Sequence, residues 1–158
     1  MSETTHEASA TKPIAEHAWL QHLVGSWKIT TEMKMGPDLP ILTGHGIEEV
    51  ESLNGLWAYV KGEGAMPDGG KMRYFMTLGY DVTFKEYRGA WFADVSSHLW
   101  NYFGKLSADG KVMTLTCEGP DMEKEGETAM YRDVHEIIDG NTRTMTSMFQ
   151  LPSGEWVQ

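Results

Sequence analysis

The 158-residue chain carries 23 acidic against 13 basic side chains, a formal charge of −10, with 41% hydrophobic, 11% aromatic and 23% charged residues. This is the composition of an ordinary globular protein, and one domain of this length buries roughly two thirds of its unfolded surface. The acidic balance argues against a nucleic-acid partner, no apolar run reaches membrane-spanning length, and a lone Cys117 leaves no internal disulfide and no cysteine-based zinc site.

The opening MSETTHEASATKP has neither the basic n-region nor the apolar h-region of a signal peptide, so the chain reads as cytoplasmic. Residues 1–12 are small, polar and aperiodic and are expected to form a disordered tail, leaving 13–158 as one barrel domain. From Pro13 to Val24 the apolar positions Ala15, Ala18, Trp19 and Leu23 recur at helical spacing, with Pro13 suited to a first turn and Gly25 to the cap. One short amphipathic helix follows from that pattern.

After Gly25 the pattern becomes β-like, punctuated by Asn54-Gly55, Pro67-Asp68-Gly69-Gly70, Asp109-Gly110, Asp139-Gly140 and Ser153-Gly154. The strands fall at about 26–35, 42–53, 56–65, 71–80, 86–96, 98–107, 111–118, 127–138 and 142–151, with another opening near Glu155. Most joints are too short for a parallel crossover, so neighbours along the chain should pair antiparallel. An up-and-down meander of nine or ten long strands is expected to curl and close into an all-β barrel capped by the helix, a sandwich being the alternative. Trp57, Tyr59, Lys61 and Glu63 share one strand face, and Tyr87, Gly89, Trp91, Ala93 and Val95 another, without fixing which faces are inward.

Glu16-His17-Ala18-Trp19-Leu20 followed by Leu23-Val24-Gly25-Ser26-Trp27 resembles the start of a bacterial family catalogued as domain of unknown function fifteen seventy-nine. Leu78-Gly79-Tyr80-Asp81, Trp91 with Asp94, Tyr102-Phe103-Gly104, Leu115 to Pro120 and Ser153-Gly154-Glu155 agree with it, so the resemblance runs from about Ile14 to Gln158. Gly25-Ser26-Trp27 also resembles the Gly-x-Trp that opens the first strand of lipocalins and other calycin-like barrels. The resemblance implies a lipocalin-like fold whose Trp27 plugs one barrel end, packed under an Arg from the last strand. With no Arg after Arg143, that Arg would lie beyond Gln158. It implies no activity, because barrels host many.

Tyr and Trp are plentiful on the strands (Trp57, Tyr59, Tyr74, Tyr80, Trp91, Trp100, Tyr102), and Met72, Met76, Met113, Met130, Met145 and Met148 join them. Such side chains suit a small-molecule pocket and equally a packed core. Gly44-His45-Gly46 sets an imidazole between permissive residues, as a bulge, a site or a plain strand start would. His98 and His135 could each ligate haem iron. His17 and His22 are five apart on the helix, the wrong spacing for metal ligands, so His17 is read as a structural hydrogen-bonding group. Glu49 and Glu51 alternate onto one side and could couple their titration or simply face solvent. Asp121 to Glu127 lacks the spacing of a calcium loop. Neither a Gly-x-Ser-x-Gly elbow nor a phosphate-cradling glycine loop occurs, and no catalytic residue is named.

The leading expectation is a barrel binding a small apolar or amphipathic molecule, lined by Trp57, Tyr59, Tyr74, Met76, Trp91 and Tyr102 with His45 and His135, without a metal or cofactor. Two functional alternatives stand beside it. One is an enzyme using His45 or His135 with Glu49, Asp94 or Asp133; the other is a haem-binding barrel. A filled barrel serving structure or homo-oligomerisation would have no cavity.

Overall fold

The computed structural model describes residues 10–158. The first nine residues of the expected tail lie outside the described residues. Ten strands run β1 Gly25–Lys34, β2 Ile41–Leu53, β3 Trp57–Ala65, β4 Lys71–Asp81, β5 Glu86–Ala93, β6 Trp100–Leu106, β7 Val112–Pro120, β8 Thr128–Ile137, β9 Arg143–Gln150 and β10 Trp156–Val157. Each pairs antiparallel with the next in one ten-stranded sheet. The meander expected from the short joints is therefore the fold. The sheet curls into a half-barrel rather than a fully hydrogen-bonded ring, with β1 and β10 as its two edges.

Turn chemistry sets the register. At the β2–β3 joint Asn54 (φ 52°) and Gly55 (φ 71°) both take positive φ, and Leu56 N–H donates to Leu53 C=O at 3.0 Å. Both central residues of this turn are left-handed, the conformation Asn-Gly favours, and Leu56 completes a three-residue joint between the paired Leu53 and Trp57. The β4–β5 turn is built by Asp81, whose Oδ1 accepts the backbone N–H groups of Thr83 and Phe84.

The expected helix forms as one α-helical turn, α1 Ala15–Ala18, tightening into a 3₁₀ segment Trp19–Leu23. Its apolar face buries Trp19, Leu20 and Leu23 against Val50, Ala58, Leu78, Tyr87 and Met113, closing one end of the half-barrel. Directional bonds fix its seat: His17 Nδ1 accepts the Ile14 N–H and Nε2 donates to the Tyr80 carbonyl at 3.1 Å. Trp19 Nε1–H donates to Gly110 C=O, and Tyr87 OH to Glu16 C=O. His17 is thus a buried structural histidine. None of the described helices is long and apolar enough to cross a membrane.

Alternation along each strand fixes the faces. Glu48 and Val50 point inward from β2, Ala58 and Val60 from β3, Tyr74, Met76 and Leu78 from β4, and Tyr87 and Trp91 from β5. From the later strands come Tyr102, Leu115, Cys117, Asp133, His135, Arg143, Met145 and Ser147. Inward glycines make room for the large rings. Tyr74 lies flat on Gly62, where an added Cβ would fall 2.0 Å from Tyr74 Cζ, and Trp100 covers Gly119 in the same way.

Candidate functional site on the concave face

The interior carries an unusual amount of polarity for a small sheet. Glu48 on β2 accepts a hydrogen bond from Tyr74 OH at 2.5 Å and pairs with the Arg143 guanidinium from β9. Arg143 in turn lies over Trp27 on β1, its Cζ 4.5 Å from the ring centroid. The curl of the sheet is what brings β9 across to β1 and β2, residues 95 positions apart in sequence. The Trp27 partner expected beyond Gln158 is therefore Arg143 itself.

A second knot lies beside the first. Asp133 accepts hydrogen bonds from Tyr102 OH and from Ser147 Oγ, the latter at 2.5 Å. Burial and the facing carboxylates, Asp133 and Glu48, push the Tyr102 and Tyr74 hydroxyls well above their ordinary range, so both remain donors. Burial, helped by Asp133, likewise raises the Cys117 thiol to about 12, which leaves it an inert core group.

His135 sits between the two knots and is 9% exposed. Burial lowers its pKa to about 4, with Arg143 adding to the fall and Asp133 and Glu48 opposing it, so the ring is neutral at pH 7. Its Nδ1 and the Nε of Arg143 are both buried without a hydrogen-bond partner among the described residues. Tyr74 and Trp91 stack with centroids 5.6 Å apart, presenting flat apolar surface on the same face. The inward side stays accessible along β9, where Met145 is 53% exposed and Ser147 is also exposed.

Of the expected lining residues, Tyr74, Met76, Trp91, Tyr102 and His135 face inward, and Met76 and Tyr102 belong to the packed core. Trp57, Tyr59 and His45 are corrected to the convex face. Ala58 and Val60 take the inward positions of β3, so Trp57 turns outward to cover Gly79, while Tyr59 stacks on Phe75 at 6.3 Å. His45 is exposed beside Thr30, and its flanking glycines serve packing: an added Cβ at Gly46 would fall 2.3 Å from the Glu63 carbonyl oxygen.

Glu49 and Asp94 are exposed too, bonded to Ser26 and Arg73, and His98 spends Nε2 on the Glu118 carbonyl. Among the expected histidine and carboxylate partners, only His135 and Asp133 share the interior, and no hydrogen bond joins them. Sequence reasoning passed over Glu48 and Arg143. The signal available for Glu48 was its two-residue spacing from apolar Val50, which puts both on one face.

Two surface depressions of about 440 and 510 Å³ lie elsewhere, one beside the β7–β8 and β9–β10 turns and one under Ala15 and Glu16. Neither is lined by Glu48, His135 or Arg143. The polar network belongs to the concave face.

The fold and the cluster together define a class: a single curled antiparallel sheet, helix-capped at one end, with a partly buried polar network on its concave side. A family model described as "Protein of unknown function (DUF1579)" matches residues 12–158, nearly the whole chain. The protein belongs to that family. Among curated proteins none matches it.

Proposed function

We propose that the concave face binds a small amphipathic molecule, its flat apolar part on the Tyr74–Trp91 pair and its polar end toward Glu48, His135 and Arg143. The observation that supports this best is the polar network on an inward face that stays open at Met145 and Ser147. A partly buried ion pair such as Glu48–Arg143 is weak evidence for stability, since apolar side chains of like volume often serve a core as well or better. Polar groups converging beside aromatic surface are instead the usual make-up of a small-molecule site.

Native mass spectrometry of the protein purified from its source cells tests this reading. A reproducible small-molecule adduct is expected on the unmodified chain and on Thr144→Trp, which adds bulk to the exposed outward side of β9. It should be missing from Met145→Trp, which fills the open inward side. Retention by Met145→Trp would refute a concave-face site, and an adduct of haem mass would replace the proposed ligand class with haem.

A further inference from the structure

Resting on that reading, we infer that the polar end of the ligand is an uncharged hydrogen-bond acceptor, a ketone or amide oxygen, taken by Arg143 Nε and His135 Nδ1. Among the described residues three buried side-chain nitrogens lack partners; Arg132 Nε lies on the outward side of β8 against Trp156, and these are the two on the inward side, where buried polar groups rarely stay unpaired. They belong to one spot. In the β8–β9 ladder Ile137 faces Arg143 and His135 faces Met145, so His135 and Arg143 are diagonal neighbours on the inward side. Arg143 Nε can only donate, and neutral His135 can donate from Nδ1 in one of its two tautomers, so the missing partner is an acceptor.

Charge selects among acceptors. Glu48 already answers the Arg143 guanidinium, and Asp133 adds a second carboxylate, leaving this face with one net negative charge while His135 is neutral. A carboxylate or phosphate ligand would meet that charge, whereas a neutral carbonyl would not. Access runs past Met145, opposite His135 and two residues from Arg143 on the same side. Its unbranched, half-exposed side chain can swing aside at little cost.

The test compares three probes on the full chain by quenching of tryptophan fluorescence: a dimethylaminonaphthyl ethyl ketone, the same naphthylamine without the carbonyl, and the corresponding naphthoate. The ketone is expected to bind about tenfold or more tighter than either analogue, the size of one hydrogen bond to a charged group. His135→Leu, which replaces an unpartnered buried ring with an apolar side chain, should shrink the ratio of ketone to hydrocarbon affinity. Equal binding of ketone and hydrocarbon would mean that solvent satisfies the two nitrogens, and it would overturn the acceptor assignment while leaving concave-face binding intact. Tighter binding of the naphthoate, or a ketone preference unchanged in His135→Leu, would also overturn it. Failure of all three probes to bind would remove the binding reading itself.

Discussion

Tyr74 holds its place because Gly62 beneath it has no side chain. A methyl there would overlap the ring, so Gly62→Ala must push Tyr74 off β3 and break its bond to Glu48. A destabilisation of about 1–3 kcal/mol is expected in urea unfolding, the usual cost of overpacking. In Gly62→Ala combined with Tyr74→Ala the two costs should not add, since removing the ring removes the clash. At this scale the sequence was only partly legible. Tyr74, Trp91 and His135 could be picked out as chemistry-bearing strand residues, but Trp57 and Tyr59 look the same in a list of aromatic residues. What separates them is which neighbour lacks a side chain, and that depends on strand register. Glu48 stands among three acidic residues within four positions, so its inward role stays hidden until Val50 is known to be core.

At the scale of elements, the turns were the readable part. Asn54-Gly55 marked the β2–β3 joint, and the turn it forms requires positive φ at both positions. Gly55→Ala is expected to cost about 1–2 kcal/mol, because a Cβ in the left-handed region crowds the following carbonyl. That loss should lower the thermal midpoint by a few degrees for a domain of this size, as read by circular dichroism. All ten strands fell within a few residues of where turn signals put them. Their facing did not, for a physical reason. Gly44, Gly46, Gly62, Gly104 and Gly119 occupy inward positions close under neighbouring side chains or backbone, while Phe75, Phe92 and Phe103 stand outside. The polar and apolar alternation that should mark the core is therefore blurred on both faces. The helix was predicted as a continuous stretch but narrows to 3₁₀ after one turn, since it must deliver Leu20 and Leu23 into the barrel end and then hand the chain to β1 at Gly25.

For the whole molecule, the buried His135 ties stability to pH. Its folded-state pKa of about 4 lies below the ordinary 6.5, so between these values the unfolded chain binds the extra proton and stability rises with pH. The contribution is fully present above about pH 6.5 and is lost as pH falls toward 4, at up to ~1.4 kcal/mol per pH unit. Urea midpoints measured across this range should slope upward for the unmodified protein and more gently for His135→Leu. The lowered carboxyls of Asp94 and Asp109 act in the same direction, but below their unfolded values near 3.8, outside most of this window.

The path of the sheet also carries a kinetic meaning. Because every strand pairs only with its successor, the backbone ladder can assemble hairpin by hairpin, with short loops to close at each step. Two links reach across the sequence. Trp19 and Glu16 join the helix to the Gly110 and Tyr87 region, and Arg143 joins the end of the meander to Glu48 and Trp27 near its beginning. Those cross-links bear the long loop-closure entropy, so they belong late on the folding route and act chiefly as latches against reopening. The same guanidinium that faces the proposed ligand is thus also the clasp of the curl, and occupancy of the concave face would slow unfolding at the point where the structure opens.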